Sequence, residues 1–345
     1  MKLAITGGAG FLGLHLCEGM KDRFEEILVL DIAPMDPKEY PSNVKYQCVD
    51  VRDKSSLTQA FKGIDRVIHG AAALPLWKKK DIYAINVEGT RNVLEAALEN
   101  HISRVVFISS TAVYGVPKEH PLYEDAPTHG VGPYGESKIQ AEELCAEYRK
   151  KGLCVPVVRP KTFIGTNRLG VFQILYDWVE SGTKIPVIGN GKNRYQLLEV
   201  EDLVQAVALT LEKSPDLVNQ TFNVGAEKFR TVLEDVGELC RYAGTGASVL
   251  STPAGLTKFF LILFENLKLS PLYKWVYGTA DKDSFVSIDK AKTMLGFQPQ
   301  YSNSEALIRS YQWYLDHKHE LSGTGITHRV AWKQGVLGII KKILK

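Results

Sequence analysis

Two residues of this chain are spaced for proton chemistry, Tyr134 and Lys138 in the run Pro133-Tyr134-Gly-Glu-Ser-Lys138. Ala141, Leu144, Cys145 and Tyr148 continue the segment at helical spacing, so the phenol and the ammonium form an i, i+4 pair on one helix face. A free tyrosine, with a pKa of about 10, is a poor base at neutral pH. A neighbouring cation favours its phenolate, which can then take a proton from a substrate hydroxyl. Upstream, Arg104-Val-Val-Phe-Ile108 reads as a buried strand that delivers Ser109-Ser110-Thr111-Ala-Val-Tyr114-Gly115. Hydroxyls at the C-terminal end of a central parallel strand stand where open sheets bind ligands. Ser110 is the expected partner of Tyr134 on one substrate oxygen, with Thr111 next in line. Tyr-x-x-x-Lys alone is common in helices; its weight comes from the elements that position it.

The first of these is a glycine-rich turn. Leu3-Ala4-Ile5 reads as a buried strand, and Thr6-Gly-Gly-Ala-Gly-Phe-Leu-Gly13 opens a segment with Leu14, Leu16 and Met20 at helical spacing. Glycines let the backbone approach a pyrophosphate, and the free N–H groups and dipole of the helix stabilise its charge. Gly8, Gly10 and Gly13 fit G-x-G-x-x-G, and Gly7, Gly10 and Gly13 fit a looser spacing. The next apolar run, Glu26-Ile-Leu-Val-Leu-Asp31, ends in an acid suited to an adenosine ribose. A carboxylate there repels a ribose 2′-phosphate, so the cofactor is read as NAD rather than NADP. A plain tight turn, with Asp31 solvated before Pro34, is the competing reading. With a nicotinamide beside Tyr134, hydride would leave the carbon whose hydroxyl the phenolate deprotonates.

Composition narrows the class. The 345 residues are 45% hydrophobic and 23% charged, enough for one large core or two moderate ones. Cys17, Cys48, Cys145, Cys154 and Cys240 show neither a C-x-x-C pair nor a histidine at ligand spacing, so no metal site is expected. Reduced thiols fit a cytoplasmic location. The chain enters its first strand at once, leaving no room for a signal peptide, and Phe259-Phe-Leu-Ile-Leu-Phe264 is too short to cross a bilayer. The net charge of +3 comes from the tail, where Arg329, Lys333, Lys341, Lys342 and Lys345 follow the Ser322-Gly-Thr-Gly325 break with no acid. The rest is slightly acidic, and no nucleic-acid surface is expected.

Other candidates lie between the turn and the tyrosine. Val44-Lys-Tyr-Gln-Cys-Val49 reads as a strand ending in Asp50-Val51, where Asp50 could meet an adenine amino group or cap a helix. Arg66-Val-Ile-His69 runs into Gly70-Ala71-Ala72-Ala73, small residues that let the backbone lie against a flat cofactor. Lys78, Lys79 and Lys80 read as a solvated face in preference to an anionic-substrate contact. Asn86 lies on a helix whose Val87, Val93, Leu94 and Ala97 face inward, and it also reads as a plain surface residue. Val155-Pro-Val-Val-Arg159-Pro160 reads as a sixth strand, and Thr162-Phe-Ile-Gly165 leaves it for a second lobe. Gly170 to Val179 reads as a helix offering Phe172, Leu175 and Trp178 either to a pocket or to core packing.

Taken in order, the glycine turn, Ser-Ser-Thr-Ala-Val-Tyr-Gly, Tyr134-Gly-Glu-Ser-Lys138 and Arg159-Pro160 resemble the extended short-chain dehydrogenase/reductase superfamily, in its NAD-dependent epimerase/dehydratase branch, from Met1 to about Tyr314. The resemblance implies an α/β fold, a Rossmann-type doubly wound parallel sheet with a smaller mixed α/β C-terminal substrate lobe. The expected layout is an NAD-binding domain over 1–164, with segments returning near 195–225, a substrate lobe over 165–320 and a basic amphipathic helix over 326–345. It implies that Gly7, Gly10, Phe11, Leu12 and Gly13 hold the pyrophosphate, Asp31 the ribose, and Asp50 and Val51 the adenine. Ala71, Ala72 and Ala73 would lie along the cofactor, Lys138 on the nicotinamide ribose, and Asn86, Ser109 and Pro160 would complete the contacts. Tyr134 takes the catalytic-base position and Ser110 that of its hydroxyl partner. A homodimer is the family expectation.

The chain departs from the family's sugar-nucleotide pattern at three places. The arginine of Gly-Asp-Gly-x-x-x-Arg-Asp is Tyr195 here, with Arg194 one place earlier; no arginine precedes Ile288-Asp-Lys; and the asparagine expected after Arg159 is Thr162. Thr111, Thr162, Phe172 and Arg194 are therefore the substrate candidates. In the tail, Trp332, Val336, Ile339, Ile340, Ile343 and Leu344 share one broad helical face flanked by lysines. Such a helix is a candidate for peripheral membrane contact, with docking on the body or pairing in a dimer as equal readings. The expected function is NAD-dependent oxidation of a sugar hydroxyl, with 4-epimerisation of a nucleotide- or lipid-diphosphate-linked sugar. The competing readings are a 3β-hydroxysteroid-type dehydrogenase and a non-catalytic NAD-binding scaffold.

Overall fold

A computed structural model describes residues 1–267, 274–320 and 334–345. Strands and helices alternate through β1 (Lys2–Thr6), α1 (Phe11–Met20), β2 (Glu26–Asp31), β3 (Val44–Cys48), α2 (Lys54–Ala60), β4 (Arg66–His69), α3 (Lys79–Tyr83), α4 (Gly89–Glu99), β5 (Arg104–Ile108), α5 (Gly132–Lys150) and β6 (Val157–Pro160). The chain continues through β7 (Thr162–Ile164), α6 (Val171–Glu180), β8 (Lys184–Ile188), β9 (Leu197–Glu199), α7 (Val200–Glu212), α8 (Pro215–Val218), β10 (Thr221–Val224), α9 (Val232–Ala243) and β11 (Ser248–Thr252). It closes with α10 (Ala254–Asn266), α11 (Lys274–Thr279), α12 (Asn303–His317) and α13 (Val336–Leu344).

Among the described residues, seven strands form one parallel sheet in the order β10-β6-β5-β4-β1-β2-β3. β1 is central, its Ile5 level with Val29 on β2 and Ile68 on β4. The strand order reverses beside it, which opens a crevice at the C-terminal ends of the strands. Both faces are covered, so the strands are apolar throughout. Side chains alternate across the pleat: Leu3 and Ile5 enter a core with Leu16 of α1 and Leu203 and Val207 of α7, while Ala4 enters another with Leu57 of α2, Val93 of α4 and Leu144 of α5.

The segments expected to return to the sheet do so differently. β10 joins its edge against β6, but β9 pairs with β7 outside it, and β11 pairs with β8. These smaller pairs belong to the second lobe, whose core unites Tyr176 and Trp178 of α6, Leu239 of α9, Tyr311 and Tyr314 of α12 and Leu337 of α13.

The tail helix docks on the body over its described part. Leu337 is buried, Ile340 and Leu344 pack on the second-lobe core, and Lys341 Nζ donates to Asp177 Oδ2 at 2.6 Å. Trp178 Nε1 donates to Gln334 Oε1 at 3.1 Å, so this tryptophan supports α13 rather than the pocket. Ile339 and Ile343 face solvent, 62% and 77% exposed, which splits the broad face read from the sequence. Trp332, Arg329, Lys333 and the Ser322–Gly325 break lie outside the described residues.

Candidate active site

The glycine turn is a cradle that side chains would fill. Gly7 has φ +73°, and a Cβ on it would lie 2.7 Å from the Ala71 amide nitrogen. A Cβ on Gly13 would lie 2.3 Å from the Gly8 carbonyl oxygen, so its absence lets α1 pack against the turn. α1 has no side-chain cap, in contrast to α2, where Asp53 accepts the Ser56 amide, so no side chain takes its first N–H groups. Asp31 stands at the rim, half-buried, with Oδ2 accepting the Ala9 amide at 3.0 Å and Oδ1 that of Ala33 at 2.9 Å. Burial raises its pKa, and these amides oppose the shift. Helix N–H groups without a side-chain cap, a dipole end and a fixed carboxylate fit the pyrophosphate and ribose of a dinucleotide. Phe11 and Leu12 lie in the first helical turn; the Phe11 ring stacks on Phe163 at 5.8 Å, tying the turn to the second lobe.

Asp50 and Val51, the expected adenine contacts, each have partners within the chain. Asp50 is held in an ion pair, Arg52 Nε reaching Oδ1 at 3.0 Å, and this bond holds its carboxyl below the usual range. The helix-capping role falls to Asp53 instead. Val51 is buried under Gly89, and its carbonyl accepts Asn92 Nδ2 at 3.0 Å.

Asn86 is no surface residue. It sits 1% exposed in a widened π-helical turn, Ala84–Glu88, between α3 and α4. Its Oδ1 accepts the Ala73 amide at 2.8 Å, and its Nδ2 donates to Ala73 O at 3.2 Å and Ser137 Oγ at 3.0 Å. The amide is thus spent on fixing the Ala71–Ala73 segment against α5. Behind it runs a hydrogen-bond chain through the buried His69, whose Nδ1 is 2.7 Å from Thr6 Oγ1 and whose Nε2 is 2.9 Å from Thr90 Oγ1. Thr90 donates its own proton to Asn86 O at 2.7 Å, so it accepts from His69, and the ring is the neutral Nε2–H tautomer.

At the end of β5 the three hydroxyls part company. Ser109 also lines the cleft, but its hydroxyl donates to Glu142, which holds the buried Arg159 through Nε at 2.9 Å. Ser110 Oγ accepts the Ala112 amide at 3.1 Å, and Ser110 and Tyr134 both line the cleft. Thr111 Oγ1 donates to Pro160 O at 3.3 Å. Burial raises the Tyr134 pKa, and the Ser110 hydroxyl opposes the shift. One turn along α5, Lys138 is 3% exposed, its Nζ donating to Ile108 O at 2.9 Å and lying 4.8 Å from the Phe107 ring centre. Burial pushes its pKa down to about 8, against the nearby Glu142 carboxylate.

Ser110, Thr111, Tyr134, Pro160, Thr162 and Phe172 line one cleft of about 410 Å³. Much of its wall is apolar, from Leu74, Pro75, Phe163, Val171, Leu175 and Leu307. Arg194 is not on it: its guanidinium lies between the Phe229 and Phe285 rings, at 4.7 and 4.6 Å, and is exposed. Consecutive residues of an extended segment point to opposite sides, and Tyr195 takes the wall, its hydroxyl 3.1 Å from Thr162 Oγ1. Lys78, Lys79 and Lys80 are exposed at the start of α3, as the solvated reading has it. Two buried cations on the wall were missed, Lys161 and Arg168, the latter over the Phe11, Phe163 and Phe172 rings at 5.1, 5.7 and 5.9 Å. For Lys161 a signal existed, its position just after a strand end. Among the described residues no cluster of His, Cys, Asp or Glu could hold a metal ion.

The model of the NAD dependent epimerase/dehydratase family matches residues 3–225. The chain belongs to that family. Its cofactor is NAD, which the glycine turn and Asp31 fit, and it is an enzyme of the extended short-chain dehydrogenase/reductase type. A UDP-glucose 4-epimerase of Halalkalibacterium halodurans is 28% identical, over 93% of this chain and 98% of the relative. An N-acetyl-alpha-D-glucosaminyl-diphospho-ditrans,octacis-undecaprenol 4-epimerase of Escherichia coli O157:H7 is 33% identical, over 61% of this chain and 63% of its own length. The fold matches the crystal structure of a UDP-glucose 4-epimerase with UDP-glucose from Thermotoga maritima, with a TM-score of 0.77 and 22% identity, over 92% of this chain and all of that one.

Proposed function

We propose that this family member oxidises a hydroxyl of a diphosphate-linked sugar and epimerises that carbon, at C4, with Tyr134 as the base. The observation that carries the reading is that Ser110, just past β5, and Tyr134, on α5, meet on the wall of one large cleft. A sugar hydroxyl that enters this pair gives its proton to the Tyr134 phenolate oxygen while Ser110 Oγ holds the same oxygen in line. Lys138 is buried one turn further along the same helix, where its ammonium is available to the cofactor ribose. Bound NAD supplies the acceptor, and for epimerisation the donor, of the hydride that moves at that carbon. Tyr134→Phe should abolish turnover while NAD affinity persists; turnover within a few-fold of wild type would remove the proposal. A new epimer without net NADH supports epimerisation, whereas stoichiometric NADH with a ketone product would move the assignment to a dehydrogenase of the 3β-hydroxysteroid kind. The intact Ser110, Tyr134 and Lys138 set speaks against a scaffold that only binds NAD.

The apolar cleft wall favours a lipid-linked sugar over a nucleotide sugar within this reading, and one relative is described as acting on such a substrate. Peripheral membrane contact belongs with it. The outward face of α13 presents Ile339 and Ile343 with Lys342 and Lys345 nearby, an apolar and cationic combination suited to anionic lipid. No helix among the described residues is long and apolar enough to cross a membrane. Ile339→Glu with Ile343→Glu should abolish co-sedimentation with anionic vesicles; equal sedimentation of both proteins would exclude the contact. The homodimer is a further part of the proposal, checked by sedimentation velocity.

A further inference from the structure

The cleft holds a cation that the proposed proton transfer does not use. Lys161 follows Pro160 at the end of β6 and is 4% exposed. Its Nζ donates to Ser284 Oγ at 2.6 Å and lies 5.1 Å from the centre of the Tyr195 ring. Among the described residues no carboxylate forms an ion pair with it, and burial alone pushes its pKa down to about 7. An ammonium has three protons to donate. A buried charge without a counter-charge is costly, and the cost is relieved when an anion arrives.

The surroundings suit an oxygen-bearing anion. Lys161, Thr111, Thr162, Tyr195 and Thr279 line both the large cleft and a side pocket of about 20 Å³, to which Lys282, Asp283 and Ser284 also contribute. That space takes one or two oxygen atoms rather than a sugar ring, since a single water fills roughly 10–15 Å³ on the same measure. Its walls carry hydroxyl groups and two ammonium groups. The titratable groups near Lys161 are Tyr195, Lys282, Asp283 and His120; burial lowers the His120 pKa, Asp283 raises it and Lys161 adds to the lowering. Asp283 Oδ1 already accepts the Arg194 amide at 2.8 Å.

We propose that Lys161 is the recognition point for an oxyanion of the substrate, either a carboxylate on the sugar or an oxygen of its phosphate, seated where the cleft meets the side pocket. This rests on the reading of the cleft as the substrate site, and it makes Lys161 a specificity residue rather than a part of the proton transfer. An anion beside Lys161 favours its charged form, so binding above neutral pH takes up a proton.

Two measurements test it. Wild-type protein with NAD is treated with cyanate near pH 7, with and without inorganic phosphate or acetate, and Lys161 carbamylation is read by peptide mass spectrometry. Cyanate attacks neutral amines, so Lys161 should react ahead of surface lysines and be protected several-fold by the anion it recognises. Reaction no faster than surface lysines, or no protection by either anion, overturns the proposal. Calorimetry at pH 8, in two buffers of different ionisation enthalpy, then compares UDP-glucose with UDP-glucuronate on wild type and Lys161→Met. Proton uptake and at least a tenfold affinity loss in the variant for UDP-glucuronate alone assign a carboxylate; the same result for both ligands assigns a phosphate. Unchanged affinity and proton uptake in a folded variant overturn the proposal. Protection from cyanate without turnover of any sugar removes the epimerase reading while leaving the oxyanion site standing.

Discussion

Acidification should weaken this protein through one buried ring. His69 is held neutral, its pKa lowered from 6.5 to about 3 by burial and then by the Lys138 charge. The native value lies below the unfolded one, so the unfolded chain takes the proton first. The stability that depends on the neutral ring is therefore complete above pH 6.5 and declines as the pH falls toward 3. At about pH 5 the unfolded ring is about 1.5 units below its own pKa, which at about 1.4 kcal/mol per unit costs about 2 kcal/mol. The hydrogen-bond chain gives a structural reason: a second ring proton on Nδ1 would face the Thr6 hydroxyl that now donates to it. The assay is urea unfolding between about pH 8 and pH 5 for wild type and His69→Gln, which keeps one donor and one acceptor but cannot titrate. Carboxylates contribute equally to both proteins, so the difference isolates the ring. Wild type should lose about 2 kcal/mol more than the variant over this range. Parallel curves would refute both the buried neutral tautomer and the chain built on it.

Three further outcomes check other parts of the structure. Gly13→Ala should lower NAD affinity roughly tenfold or more and cost about 1–3 kcal/mol of stability, because its Cβ would meet the Gly8 backbone at 2.3 Å; unchanged NAD affinity in a titration would mean that the turn does not hold the cofactor. Arg159→Met strands Glu142 beside Ser109 and should cost about 3 kcal/mol in chemical unfolding, a loss below about 1 kcal/mol showing that the pair is not a structural requirement. Tyr134→Phe and the Ile339→Glu/Ile343→Glu pair, read by product chromatography and vesicle sedimentation, address chemistry and location separately.

What could be read from the sequence was whatever local spacing determines. The glycine turn, the acid at the end of β2 and the i, i+4 relation of Tyr134 to Lys138 follow from backbone geometry over a few residues. Where a side chain points after a long connection does not. Arg194 and Tyr195 differ by one place, and in an extended segment one place decides which of them faces the cleft; the pairings of Arg194 with Thr231 and of Tyr195 with Ser284, both far along the chain, set it. Asn86 resembles any polar residue on a helix, because the π turn that carries it inward has no simple sequence signature. Ser110 was told from Ser109 by its place in the motif, but that the Ser109 hydroxyl is taken up by Glu142 depends on a residue 33 places along the chain. The amphipathic pattern of α13 was plain, but amphipathy does not say what covers the apolar face. Half of it turns out to rest on α6.

That placement makes α6 a shared wall. It turns Phe172 and Leu175 toward the cleft and Asp177 and Trp178 toward α13. Whatever grips the C-terminus, whether an affinity tag, a sensor surface or a lipid headgroup, therefore acts one helix away from the cleft. Immobilising the protein by that end should alter its ligand affinity, whereas fusion at the other end starts from β1, whose Lys2 amide is fastened to Asp65 at the rim opposite the crevice. The two termini are unequal handles.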